Sequence, residues 1–146
     1  MPQLTPGDGQ DLLARFKRAW EQLDPDQAVG LFREDAEYRT DPFEPALVGA
    51  NAIRAHWNAV ATDQANVEFD AERVWVSGGT VLSSWHAAIT RRSNAERVRY
   101  RGFMTLEIDE RGLVSRLREW SVGRTVGIDS TFDPQPAPSG EGRDGR

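Results

Sequence analysis

Moving a proton on a small molecule requires side chains that titrate or donate near neutral pH, set where water is partly excluded. In this 146-residue chain, Asp41 stands in "RTDPF" close to Phe43, Glu119 in "LREWS" beside Trp120, and His56 beside Trp57. His86 follows Trp85, and Tyr38 and Tyr100 are the two phenols. A carboxylate that takes a proton next to a carbonyl works best when desolvation lifts its pKa, and Phe43 with nearby tryptophans could supply that setting for Asp41. Asp-Pro is equally a turn opener whose carboxylate bonds to its own backbone, and both readings stay open. Tyr38 and Tyr100 could donate into a pocket, or sit as core residues with the hydroxyl at the rim. His56 lies on an apolar helical stripe between Ala52 and Val60, which suits a structural histidine or, if it reaches a pocket, an acid–base partner for Asp41.

The composition removes several other chemistries. With no cysteine there is no thiolate nucleophile, disulfide or thiolate metal site, and two histidines argue against a His-based metal cluster. No metal and no organic cofactor are expected. The net charge is −5 and the arginines at Arg91, Arg92, Arg97, Arg99 and Arg101 are interspersed with other residues, so a nucleic-acid surface is not expected. The apolar runs are short, and "MPQLTPGDGQD" lacks a basic start and an apolar stretch, so neither membrane insertion nor export is indicated and a cytoplasmic address is expected.

The elements that must position these residues are readable from periodicity. Leu12, Leu13, Phe16, Ala19, Trp20 and Leu23 recur at helical spacing, predicting an amphipathic helix over about 9–23. Asp24 caps a second short helix, with Pro25 at its first position and Gln27 at the capping-box spacing, running through Phe32. A third helix follows Gly49, with Asn51 as its cap and Ala52, Ile53, His56, Trp57 and Val60 on one face. Residues 36–40 could form a short strand between the second and third helices. From Val67 the period becomes two, and turns at Ser77–Gly79, Ser93–Ala95 and Asp109–Gly112 divide four strands of a meander. Trp85 shares its face with Val81, Ala87 and Ile89, so Trp85 should point inward and His86 outward, toward solvent or a partner subunit. Trp57, Trp75 and Trp85 are expected in core or cavity wall. One domain over 9–132 and a disordered tail over 133–146 complete the reading.

Two stretches carry a family resemblance. "LFREDAEYRTDPFEPALVGANAIRAHW" resembles the second-helix, short-strand, third-helix unit of the nuclear transport factor 2-like superfamily, in its SnoaL-like and ketosteroid-isomerase-like branches, and "YRGFMTLEIDERGLVSRLREWS" resembles its last hairpin. The resemblance spans about residues 9–123. It implies an α+β cone, a strongly curved antiparallel sheet packed against three N-terminal helices around a central pocket, and it implies a homodimer. Exposed apolar groups on the outer sheet face, Phe103 and Trp120, agree with a partner there.

The same resemblance places Asp41 where isomerase-like members keep a general base, facing the cone mouth. It puts Leu117, Glu119 and Ser121 on the concave side of the last strand, whereas a flipped register would expose Glu119 and bury Trp120. Asp41, Glu119 and His56 are the candidate catalytic residues. The expected pocket lining is Phe16, Trp20, Tyr38, Phe43, Trp57, Trp85, Tyr100, Met104 and Leu117. Phe16 and Met104 occupy positions where the isomerases carry hydrogen-bond donors for an enolate oxygen, and neither can donate. Arg101 falls on the wrong face for the Asp–Arg–Asp arrangement of epoxide-hydrolysing members. What the resemblance implies is a small-molecule-binding domain, an isomerase, cyclase or dehydratase acting on an apolar carbonyl-bearing ligand, or a non-catalytic ligand-binding or protein-interaction domain of the same fold.

Overall fold

Thr5 starts the first helix by reciprocal capping: its hydroxyl accepts from the Asp8 N–H at 3.1 Å, and the Asp8 carboxylate accepts from the Thr5 N–H at 2.9 Å. In the computed structural model, which describes residues 3–134, α1 therefore spans Pro6–Glu21 and begins earlier than the apolar spacing alone indicates. It buries Leu12, Leu13, Phe16 and Ala19. Asp24 caps α2, accepting from the backbone N–H of Asp26 at 3.0 Å and of Gln27 at 3.2 Å. This helix ends at Val29 instead of running through Phe32 (α2, Pro25–Val29), because Phe32 already opens β1, Phe32–Arg39, opposite Val114. A short apolar run such as Leu31-Phe32 satisfies a helix and a strand equally until pairing decides.

After β1 comes the two-residue strand β2, Leu47–Val48, and then α3, Ala50–Asp63. The cap of α3 is Gly49, with φ of 92°, and no side chain closes the helix end; Asn51, expected as the cap, lies exposed inside the first turn. The meander follows as β3 (Gln64–Ser77), β4 (Thr80–Arg91), β5 (Glu96–Ile108) and β6 (Val114–Ile128), with all the expected turns in place.

The sheet order is β2-β1-β6-β5-β4-β3. The sheet is mixed, which corrects the expected antiparallel one: β1 runs parallel to β6, while the other neighbouring pairs are antiparallel. A parallel partner needs a long connection, and α3 with the first three meander strands supplies it. The sheet does not close, since β2 and β3 are its edges. Bulges in β3 bend the strand, and α1 packs against it while α3 packs on β1 and α2. No described helix is long and apolar enough to cross a membrane.

Between the helices and the sheet sits an aromatic cluster. Phe16 contacts Phe69 at 5.3 Å and Trp57 at 5.8 Å between ring centroids, and Trp20 contacts Trp57 at 6.2 Å and Trp85 at 6.1 Å. Edge-to-face pairs of this kind add about 0.5–1.5 kcal/mol each beyond area burial. Trp85 fits because β5 has a glycine beneath it: a Cβ on Gly102 would lie 2.4 Å from a ring carbon of Trp85. Trp75, expected in core or wall, is instead 42% exposed on the outer face, its ring 6.2 Å from Phe103 with the Arg73 guanidinium over it. Strand alternation puts it there, because the inward positions near the β3 end are Val74 and Val76. Of the expected tail, residues 135–146 lie outside the described residues.

The far end of β6 is tied down by Asp129. One carboxylate oxygen accepts from Asn66 Nδ2 on β3 at 2.8 Å and from the buried Thr90 hydroxyl on β4 at 2.5 Å; the other accepts from Thr131 N at 3.0 Å and Oγ1 at 2.6 Å. These donors, Thr131 first, hold its pKa well below the usual carboxylate range. The stability they contribute is complete above the unfolded value of about 4 and is lost as pH falls below it. Asp129→Ala is expected to lower the melting temperature at pH 7, with the gap to the parent protein narrowing below about pH 4. A constant gap from pH 3 to 7, followed by circular dichroism, would contradict this assignment.

Candidate functional site

Alternation along β6 turns Leu117 and Glu119 to the helix-covered face and Arg118 and Trp120 to the other; Leu117 is fully buried and Trp120 is 40% exposed. The register that turns Glu119 inward is thus the one realised, and the residue is half-buried there. Pairing with β5 sets Glu119 opposite Met104, itself fully buried, so the carboxyl group emerges beside apolar surface.

Glu119 reaches a cavity of about 160 Å³ between α3 and the sheet. Trp20 contributes from α1, His56, Trp57 and Val60 from α3, and Tyr38 and Thr40 from β1 and its end. Gln64, Trp85, Tyr100 and Ser121 complete the wall from β3, β4, β5 and β6. A larger hollow of about 440 Å³ near the start of α1 is lined by charged surface side chains such as Asp8, Asp11, Arg15 and Arg111. The smaller one holds the groups whose titration burial shifts most, Glu119, Tyr38 and His56, which makes it the candidate site.

No lysine or arginine among the described residues forms an ion pair with Glu119. Burial raises its pKa to about 7, opposed only in part by the Tyr38 phenol, a weak donor beside it. Tyr38 is in turn pushed well above its ordinary value, by burial first and then by the negative charge of Glu119. The two groups therefore meet at neutral pH as a protonated phenol and a carboxyl near its midpoint. Burial also lowers the His56 pKa, so its imidazole, 5.2 Å from the Tyr38 ring, is neutral.

Three tryptophans line the cavity, and their N–H groups differ. Trp20 donates to Gln64 Oε1 at 2.8 Å. Trp57 and Trp85, 4% and 2% exposed, have buried Nε1 atoms without a partner among the described residues. An unsatisfied buried donor costs about 1–3 kcal/mol.

Several expected site residues lie elsewhere. Asp41 is on an exposed turn outside the cavity, its carboxylate accepting from Phe43 N at 2.9 Å and its carbonyl from Glu44 N at 3.2 Å. The turn-opening reading of Asp-Pro is therefore the one the fold realises. Phe43 is 92% exposed and does not line the cavity. Phe16, Met104 and Leu117 are buried behind the wall, without a surface on the cavity. His86 faces outward, Nδ1 3.0 Å from Glu72, to which Arg101 also donates at 2.8 Å. Of the lining residues not expected, Val60 and Ser121 sit on inward faces that periodicity reveals; Thr40 and Gln64 lie at element ends, where periodicity is silent.

The SnoaL-like domain model matches residues 13–117. The chain belongs to the SnoaL-like domain family. Glu119 lies just beyond the matched segment. Solved structures share the fold at low identity. An epoxide hydrolase/cyclase-like enzyme with a role in pyran ring formation in the polyether salinomycin is 18% identical, with a TM-score of 0.71 over 82% of this chain and 95% of that one. An epoxide hydrolase from M. tuberculosis is 17% identical, with a TM-score of 0.68 over 80% and 84%. A protein with a ketosteroid isomerase-like fold from Catenulispora acidiphila, in complex with trimethylamine, is 13% identical, with a TM-score of 0.68 over 75% and 83%. No curated protein sequence matches the chain.

Because the folded-state pKa of Glu119 lies above its unfolded value, native protein binds the extra proton and loses stability as pH rises from about 4.5 through 7. Glu119→Gln removes this penalty, which is on the order of 2 kcal/mol for a group still partly in reach of water. The variant is expected to be more stable than the parent at pH 8.5 and equal to it near pH 4.5. Urea unfolding at both pH values checks the sign.

Proposed function

We propose that this SnoaL-like domain binds a small, largely apolar carbonyl compound and transfers a proton on it, with Glu119 as the acid–base group. What carries the reading is a carboxyl at the cavity wall, without a cationic partner among the described residues, whose pKa stands near 7. A base at that value takes a proton and returns it with comparable ease. Deprotonated Glu119 removes the proton α to the carbonyl, the C–H electron pair becomes a C=C bond, and the carbonyl oxygen takes up the charge. Returning the proton at another carbon isomerises the compound; attack of the enolate carbon on an internal electrophile cyclises it, and loss of a β-hydroxyl as water dehydrates it. His56, which lines the same cavity, is the second acid–base candidate. None of these steps requires a metal or an organic cofactor.

Cavity size limits the ligand. A dry cavity of about 150 Å³ admits a benzene-sized molecule, and drug-sized ligands need about 300–1,000 Å³. The volume of about 160 Å³ therefore suits one ring, or the reacting end of a longer molecule. The epoxide-opening activity named for the structural relatives fits less well, since no arginine is among the described residues lining the cavity.

Cyclic ketones of one ring should exchange α-hydrogen for deuterium in the presence of the protein, at a rate that rises through about pH 7 and falls on the order of a hundredfold or more in Glu119→Gln. Equal rates for parent and variant would leave only the non-catalytic binding reading. We further propose a homodimer through the outer sheet face, where Trp75, Trp120 and Val122 are 42%, 40% and 77% exposed. Light scattering at micromolar concentration is expected to give twice the chain mass; a monomer mass would refute it.

A further inference from the structure

We propose that the cavity holding Glu119 also takes a small methylated ammonium ion, which pairs with the ionised carboxyl and excludes the carbonyl ligand. This goes beyond the reaction proposed above, since it needs only the cavity and its charge. Glu119 is half-buried and lines the cavity. Among the described residues, no lysine or arginine lines that cavity or forms an ion pair with the carboxylate. A carboxylate in apolar surroundings without a counter-ion is a costly charge. A cation carried by the ligand is the counter-ion that the described residues do not supply.

The wall decides which cation. Hard metal ions ask for six or more oxygen ligands, whereas this wall offers one carboxylate, a few neutral polar groups such as Thr40 and Gln64, and otherwise mostly aromatic side chains with Val60. Methyl groups on nitrogen spread the charge, hold water weakly and pack against carbon, and methylated ammonium ions are the cations that aromatic-lined sites take. At about 160 Å³ the cavity has the size that admits benzene, and tetramethylammonium has comparable bulk.

The titratable groups that share the cavity with Glu119 are Tyr38 from β1, His56 from α3 and Tyr100 from β5. Burial keeps the proton on Tyr38 and keeps His56 neutral, so Glu119 is the group whose charge turns over near neutral pH. Linkage then runs in both directions: the cation favours the ionised carboxyl, and protonation of that carboxyl as pH falls below about 7 disfavours the cation. A neutral carbonyl compound carries no such dependence. The ammonium ion is therefore a competitive inhibitor of proton transfer, most effective at the alkaline pH where Glu119 is ionised.

The test follows the Glu119 side-chain carboxyl by ¹³C NMR in the full chain, with and without tetramethylammonium, and uses tert-butanol as a neutral probe of similar shape. Tetramethylammonium is expected to lower the Glu119 midpoint and, at pH 8.5, to bind about tenfold or more tightly than tert-butanol. Its affinity should fall on the order of a hundredfold by pH 5. Glu119→Gln, shown to be folded by cooperative unfolding in urea, should lose the preference for the ion. An unmoved midpoint, equal affinity for the two probes, or a preference that persists in Glu119→Gln would overturn the proposal. Glu119-dependent deuterium exchange that tetramethylammonium leaves untouched sinks only this cation site. A lowered midpoint together with exchange unchanged in Glu119→Gln sinks only the acid–base role.

Discussion

A carboxyl group set into an aromatic wall can be neutralised by a cation, stabilised by several hydrogen bonds, or left near its titration midpoint. Glu119 takes the third course, with the Tyr38 phenol alone beside it and no ion pair among the described residues. The surroundings are organised around that arrangement. Met104 lies across from it on β5, β1 brings up Tyr38, and α3 brings His56 over the phenol. The neutral state of His56 and the retained proton of Tyr38 both follow from the same exclusion of water.

The arrangement costs stability. Holding an anionic Glu119 in this position costs free energy, as do the two orphaned indole donors, and the aromatic cluster beneath offsets both. Edge contacts among Phe16, Trp20, Trp57, Phe69 and Trp85 tie α1, α3, β3 and β4 together around the cavity. Gly102 has its place in this balance, since any larger residue would displace Trp85 and the wall with it. Membership of the SnoaL-like family places the chain on a scaffold shared by proteins of differing chemistry, so the chemistry must be read from these side chains.

How much of this was legible beforehand depended on the kind of signal. Local periodicity and capping chemistry placed α1 and the four meander strands within a few residues, because each is stabilised by a repeat or a cap written in its own segment. The inward turn of Trp85 and the outward turn of His86 followed from alternation alone. Trp75 broke the expectation that a large aromatic residue is buried, and Asn51 lost the cap to Gly49. Of the three residues expected to carry chemistry, His56 and Glu119 line one cavity, while the Asp41 carboxylate bonds to its own turn.

By itself, the sequence determined the helices, the hairpins and the absence of thiol chemistry, since these rest on residue type and near-neighbour spacing, while the α+β family was legible through the resemblance of two stretches to it. Only the tertiary structure decided that β1 lies parallel to β6, that Glu119 faces inward, and that among the described residues it has no cation and two buried tryptophan N–H groups have no partner. Those are properties of segments far apart in the chain: a carboxyl's pKa and a donor's satisfaction depend on what other elements bring within a few ångströms, which no local pattern encodes.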